Sequence, residues 1–410
     1  MADARPEGGP AILMVTRRFW PHTDDATGRL TVLAEGLRRS GARATLLAPR
    51  YSAAWPTSLV YRELPVLRPV AAPRGDWSAA LYQRGLTRWL REHLAEYDIA
   101  YADNMRDEGA AVVDAALRLG IPSLVRCRGT GEFSDSRWAG GSRAARRMFN
   151  QSLRAGALIA PTASAARALL ACGASATKVH RIDDGFPAGP RRDPPLVAAA
   201  RASLAAVNAD LRVPQGGRVV VCPAPLDAFS GVLQLAEAIV PLCEEWPELR
   251  VWWIGDGPSR ETLHRYLREQ GVRDVTALPG CFGHVEELFR AADLMVFPTD
   301  GEGLEQRLPA ALGAGVPTVV PDTPEIRALL GPAVSQIPTF IPGDVADLRR
   351  VLRASLEDAS HSLSRAADLR GILRQSNPRE HSIAAHLELI TQLLGDRRPI
   401  DLDRPTGATS

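Results

Sequence analysis

At 410 residues the chain is long for one doubly wound domain and sufficient for two, each with a core of its own. The formal charge of +2 gives no case for nucleic acid as a partner, and Lys178 is the only lysine, so nearly all positive charge is arginine. Five dispersed cysteines (Cys127, Cys172, Cys222, Cys243 and Cys281) imply neither a disulfide framework nor a metal site and fit buried thiols in a reducing cytoplasm.

The opening MADARPEGGP has no apolar targeting core, and no window reaches the roughly 20 apolar residues of a membrane span, so a cytoplasmic protein, at most peripheral to the membrane, is expected. Short apolar runs then alternate with amphipathic helical windows almost to the end, the pattern of parallel sheets covered by helices. Strands are predicted over Ala11–Thr16, Ala44–Ala48, Ile99–Ala102, Ser123–Cys127, Leu158–Pro161 and Val179–Ile182. Helices are predicted over Gly28–Arg39, Ser78–Leu94, Glu108–Leu119, Ser142–Ala155 and Ala163–Ala171. A Pro/Arg-rich break at Pro187–Gly217, around a short helical piece, reads as the interdomain connection.

The second series has strands over Arg218–Cys222, Arg250–Ile254, Val275–Leu278, Leu294–Pro298 and Val316–Val320. Its helices fit Val232–Glu245, Ser259–Glu269, Val285–Ala292, Glu305–Gly313 and Pro324–Leu330. A strand at Gln336–Ile341 precedes helix from Val345 to Leu373 and again from Arg379 to Leu394, and the polar tail reads as disordered. The expected division is a first Rossmann-like domain over 1–190, a linker over 191–217, a second such domain over 218–375, a terminal helix over 376–396 and a tail over 397–410.

The stretch Val296–Pro317, VFPTDGEGLEQRLPAALGAGVP, is the most informative. A strand, a polar turn and an Ala/Leu helix put Glu302 at the carboxyl edge of a sheet, beside helix amides able to hold an anion, and Gly303 permits close approach of a ligand. Glu302 serves equally well as a helix cap in isolation. The Gly255 to Pro258 turn is either a tight structural link or part of a binding wall. His22, His180, His264 and His284 lack ligand spacing, so no metal or other cofactor is expected. Trp138, Arg143, Arg146, Arg147, Met148, Phe149 and Arg154 form a basic amphipathic segment that suits either an anionic bilayer surface or an ordinary helix with a solvated arginine face.

Taken in order, Ile254-Gly255-Asp256-Gly257-Pro258, Leu278-Pro279-Gly280, Ala292-Asp293-Leu294, Pro298-Thr299, Glu302-Gly303-Leu304 and Gly315-Val316-Pro317 resemble the retaining GT-B glycosyltransferases of the group 1 (family 4) type. Phe19-Trp20-Pro21, Arg128-Gly129-Thr130-Gly131 and Ile182-Asp183-Asp184-Gly185 are similar, weaker landmarks in the first half. The resemblance implies an α/β GT-B fold: two Rossmann-like doubly wound domains facing a central cleft, with a C-terminal helix packing back toward the first domain. It implies transfer of a hexose-type sugar from a nucleotide-sugar to a polysaccharide or lipid-linked acceptor, with retention and without a metal. Glu302 would meet the donor sugar, with Gly303, Leu304 and Glu305 beside it, and Ser230, Gly231, Gly255 and Gly257 would border the donor. Arg128 would face them across the cleft with Gly129 and Gly131, and Asp24 and Asp25 would lie on the acceptor side.

The chain departs from this family pattern at several of these places. The family's second glutamate, a ribose ligand, falls at Ala310, a loss of about 1.5–3 kcal/mol unless replaced. Its diphosphate-binding arginine and lysine fall at Pro225 and Ser230, which supply no cation. Its paired glycines fall at Asp24 and Asp25, and a histidine of many relatives falls at Arg128. Two expectations therefore stand: a divergent transferase with rearranged donor contacts, or a noncatalytic binding or regulatory protein on the same scaffold.

Overall fold

A computed structural model describes residues 9–22, 25–128, 134–190, 192–282, 286–298 and 307–395. The first sheet contains β1 (Ala11–Val15), β2 (Arg43–Leu47), β3 (Ser58–Tyr61), β4 (Leu64–Leu67), β5 (Ile99–Ala102), β6 (Ser123–Arg126), β7 (Ala157–Ala160) and β8 (Val179–Arg181). Between and after them run α1 (Asp25–Arg39), α2 (Asp76–His93), α3 (Asp107–Leu119), α4 (Asp135–Gly140), α5 (Arg143–Ser152) and α6 (Ala163–Ala171). The strand order is β3-β4-β2-β1-β5-β6-β7-β8, parallel except for the β3–β4 hairpin. The order reverses between β1 and β5, which makes their carboxyl ends the switch point of this sheet.

The second domain contains α7 (Pro194–Val207), β9 (Arg218–Cys222), α8 (Val232–Glu245), β10 (Leu249–Ile254), α9 (Arg260–Glu269), β11 (Thr276–Gly280), α10 (Glu286–Ala291) and β12 (Leu294–Val296). It continues through α11 (Arg307–Gly313), β13 (Thr318–Pro321), α12 (Pro324–Leu330), β14 (Thr339–Phe340), α13 (Val345–Glu357) and α14 (Ala359–Ser376), and α15 (Arg379–Gly395) ends the described chain. The parallel order β11-β10-β9-β12-β13-β14 has its switch point between β9 and β12. Helices cover both faces of each sheet, so strand residues are buried alternately on opposite sides. Adjacent Trp252 and Trp253 in β10 show this directly, each fully buried in the core of a different face.

Most predicted elements fall within a few residues of their place, with α6, α8, α12, β5 and β9 at the expected boundaries. The β3–β4 hairpin was not anticipated. Its two-residue turn is Arg62-Glu63, both with positive φ (48° and 64°), a conformation that normally calls for glycine or asparagine. The expected linker at 191–217 is corrected: α7 belongs to the second domain, where Ala200 and Leu204 enter the core and Arg201 bonds Asp293 Oδ2 at 2.6 Å. The single helix expected from Val345 to Leu373 is two, because the Asp358 carboxylate accepts the His361 N–H and starts α14 afresh. Nor are all the thiols buried, since Cys172 and Cys281 are exposed. The tail over 397–410 lies outside the described residues.

The chain crosses between domains twice, and the crossings hold each other. Phe186 N donates to Asn377 O at 2.9 Å, and Arg379 N donates to Phe186 O at 3.0 Å. The return places α15 against α1, where Leu389 and Ile390 complete one face of the first core. Beneath α15 lies a buried polar layer. Arg29 Nη2 sits 2.7 and 2.6 Å from the two carboxylate oxygens of Asp103, and Arg126 Nη2 donates to Asp184 Oδ2 at 2.8 Å. His386 Nδ1 faces Ser382 O at 2.7 Å, and its ring lies 6.3 Å from that of Tyr101. Burial pushes Asp103 upward, with Arg29 opposing, and pushes the His386 imidazole down to about 4.

Arg29→Met should destabilise the protein by about 3 kcal/mol in urea unfolding, because Asp103 is left buried without its counter-charge, and adding Asp103→Leu should restore most of the loss. For His386 the folded value lies below the unfolded one, so the unfolded chain binds the extra proton first. Its contribution is intact above the ordinary value of 6.5 and is lost as pH falls toward about 4. This group should remove up to about 3 kcal/mol of unfolding free energy across that interval, and His386→Leu should flatten the slope there.

Candidate active site

The carboxyl ends of the first sheet form one polar wall. After β1 the chain turns through Arg17, whose guanidinium meets Glu108 Oε1 at 2.6 Å and also bonds Asp107, the two acids that open α3. Tyr82 OH donates to the same Glu108 oxygen at 2.7 Å, and Tyr51 OH donates to Arg17 O at 3.0 Å. Burial raises the Asp107 carboxyl and the Tyr82 phenol; Glu108 reinforces both shifts, and Arg17 opposes them. A helix N-terminus suits two adjacent carboxylates, and Arg17 supplies the nearby cation.

Next along the edge, Asp135 is fully buried and its carboxylate collects three donors: Met105 N at 2.9 Å, Arg106 Nε at 2.9 Å and Arg128 N at 2.8 Å. This group joins the exits of β5 and β6 to the start of α4 and fixes the backbone of Arg128. Around the outer side of the β1 exit, Trp20 stacks on Tyr61 with ring centroids 5.4 Å apart, and His22 meets Tyr51 edge-on at 4.7 Å. Arg68 lies over the Trp55 ring at 4.9 Å. Sequence reading named Arg128 but missed Arg17, Asp107, Glu108 and Asp135; the Asp-Glu pair at a predicted helix start was the available signal.

On the second domain, the β9 exit loop is closed on itself. Ser230 is buried; its hydroxyl donates to Asp227 O at 2.9 Å and accepts from Asp227 N at 3.3 Å, so this side chain is turned into its own loop. Gly231 has φ 69°, and a Cβ there would stand 2.8 Å from Pro298 O, which lets the exits of β9 and β12 touch. Gly255 and Gly257 pack the neighbouring turn onto the same loop: a Cβ would fall 2.0 Å from Ala224 O and 2.4 Å from Leu226 O respectively. Leu226 N to Asp256 O at 3.1 Å and Ser259 N to Leu226 O at 2.7 Å complete that contact. The two turn glycines therefore have a complete structural reason for their identity.

Ala310 lies in α11, packed against the second core. One turn earlier on that helix, Arg307 reaches the β9 exit, where Nη1 donates to Pro223 O at 3.1 Å. Of the remaining expected site residues, Asp25 begins α1, while Asp24, Gly129, Gly131, Glu302, Gly303, Leu304 and Glu305 lie outside the described residues. Among the described residues no group of three His, Cys, Asp or Glu side chains could hold a metal ion.

In α5, Ala145 and Phe149 point into the first core, so the apolar face of the basic segment is covered and Arg143, Arg146 and Arg147 form its exposed surface. No described helix is long and apolar enough to cross a membrane.

Residues 29–188 match the model of Glycosyltransferase Family 4, and residues 217–358 match that of Glycosyl transferases group 1. The 2-deoxystreptamine glucosyltransferase of Streptomyces kanamyceticus is 24% identical over 50% of this chain and 54% of its own. The lipopolysaccharide core biosynthesis glycosyltransferase LpsD of Rhizobium meliloti is 30% identical over 32% of this chain and 38% of its own, and the sulfoquinovosyl transferase SQD2 of Arabidopsis thaliana is 28% identical over 31% and 25%. The matched stretches thus span from a quarter to about half the length of these curated relatives. Anabaena HepE, solved with UDP-glucose, superposes with a TM-score of 0.74 at 19% identity, over 94% of this chain and 100% of that one. WaaG, a glycosyltransferase involved in lipopolysaccharide biosynthesis, superposes with a TM-score of 0.71 at 13% identity, over 92% and 99%. The chain belongs to the group 1 (family 4) glycosyltransferases and has their GT-B fold.

Proposed function

We propose that this glycosyltransferase moves a hexose-type sugar from a nucleotide-sugar to a glycan or glycolipid acceptor, with retention and without a metal, on the cytoplasmic side of the membrane. The observation that carries the reading is the pair of switch points. The β9–β12 exits and the β1–β5 exits are the crevices where doubly wound sheets take ligands, and the GT-B fold sets both on one cleft. The donor lies against the second domain and the acceptor against the polar and aromatic wall of the first. UDP-glucose held by Anabaena HepE and the glucosyl and envelope-glycan names of the relatives support the donor and acceptor classes. In this reading Glu302 accepts hydroxyls of the donor sugar, Leu304 and Glu305 lie beside it, and Arg128 faces them.

The competing reading, a binding protein without catalysis, is favoured by Pro225, by Ala310 and by a Ser230 hydroxyl turned into its own loop. Calorimetry with UDP, GDP, ADP and their glucose conjugates separates the two. Binding of one nucleotide-sugar, followed by release of its nucleoside diphosphate with envelope glycan acceptors in the presence of EDTA, is the expected result. Glu302→Ala should reduce turnover at least a hundredfold, about 2.7 kcal/mol of transition-state stabilisation. Binding without turnover would establish the noncatalytic reading, and no binding at millimolar ligand would refute the nucleotide-sugar donor.

We also propose that membrane contact, where the acceptor is lipid-linked, is electrostatic and made by the exposed arginines of α5. Flotation with phosphatidylglycerol vesicles should be lost on replacing Arg143, Arg146 and Arg147 together by Gln, and lost again in high salt. Unchanged flotation of the variant would overturn that contact.

A further inference from the structure

The β9 exit loop of this protein offers the donor no cation, yet a diphosphate bound at that switch point brings about two negative charges into a partly enclosed site. Among the described residues, three arginines stand along the carboxyl edge of the second sheet: Arg260, Arg307 and Arg327. Arg260 bonds Leu278 O, over the outer pair β10 and β11, and stands 3.8 Å from Asp256. Arg327 is closed on Asp322 by two bonds of 2.7 and 2.6 Å beyond β13. Arg307 alone of the three is at the reversal itself, 3.1 Å from Pro223 O, the first residue beyond β9.

We propose that Arg307 is the residue that binds the donor diphosphate in this protein, replacing from the start of α11 the cationic contacts that the β9 exit loop no longer makes. The inference rests on the nucleotide-sugar reading and specifies how the donor is held. Two observations converge on it. The exits of β9 and β12 touch through Gly231 and Pro298, so a ligand seated over them lies between the loop and the start of α11. The charge of Arg307 is felt at Cys222, the last residue of β9, where it opposes the upward push of burial on the thiol. A planar guanidinium also suits two phosphate oxygens at once, which the buried hydroxyl of Ser230 does not.

The competing account is a structural clasp, in which Arg307 only ties α11 to β9. The two differ in what they do to phosphates. Binding of UDP, GDP and ADP, and of uridine, guanosine and adenosine, is measured by calorimetry for the native protein, Arg307→Gln and Arg307→Lys, with melting temperatures alongside. The expected result is a loss of tenfold or more in diphosphate affinity in Arg307→Gln, an unchanged nucleoside affinity, a smaller loss in Arg307→Lys, and a weaker salt dependence in Arg307→Gln. Equal loss for nucleoside and diphosphate, with a lowered melting temperature, would assign the clasp and overturn the proposal. Unchanged diphosphate binding in Arg307→Gln would overturn it while leaving the nucleotide-sugar reading intact. Failure of the native protein to bind any of the diphosphates would instead remove the donor reading, and this inference with it.

Discussion

The paired crossings at Phe186 and Asn377 to Arg379 are the constraint on which the rest of the molecule depends. Two separate passages of chain exchange backbone bonds there, so neither can move without the other. Because the second passage leads into α15, the clasp also decides what covers the first sheet. Leu389 and Ile390 close its core, and the ion pairs Arg29–Asp103 and Arg126–Asp184 are removed from water under the same helix. Such pairs are costly to desolvate and costlier to break singly, and α15 is the cover under which they stay paired. Asp184 stands two residues before Phe186, which joins the buried charge layer to the crossing itself.

Much of this architecture was legible in the sequence because hydrophobic period and turn chemistry agree with the final structure over most elements. What was not legible has particular causes. The β3–β4 hairpin turns on Arg62-Glu63 with both residues at positive φ, so it carries none of the glycine or asparagine signal by which such turns are found. Helix α7 was read as linker because prolines and arginines surround it; its tertiary anchors, Arg201 to Asp293 and Ala291 O, join parts of the chain about ninety residues apart. The split of α13 from α14 depends on one carboxylate, Asp358, choosing a capping role over a helical one.

The site was legible in a different proportion. Family landmarks point to candidate walls, but they describe the second wall by residues that this chain lacks, and a motif pattern has no means of showing what surrounds those places. The contact of Arg307 with Pro223 O is invisible to such a pattern because the arginine comes from another element, brought to the β9 exit by the reversal of strand order. Gly255 and Gly257 illustrate the converse. They match the landmarks, yet a Cβ at either would collide with the backbone of residues 224–226, so loop packing alone accounts for them. Matching a landmark and touching a ligand are separate properties, and only the geometry distinguishes them.

The first wall is built for rigidity. Arg17 is held by Asp107 and Glu108, Glu108 also receives Tyr82, and Asp135 binds three donors drawn from the exits of β5 and β6. Each carboxylate is buried, so losing one donor leaves a charge without compensation in a medium of low polarity. A wall tied this way approaches a ligand as one body. The buried charge of the first domain and the clasp between domains therefore have separate effects: one holds the first wall in fixed geometry, and the other ties the two passages of chain together at Phe186 and Pro378.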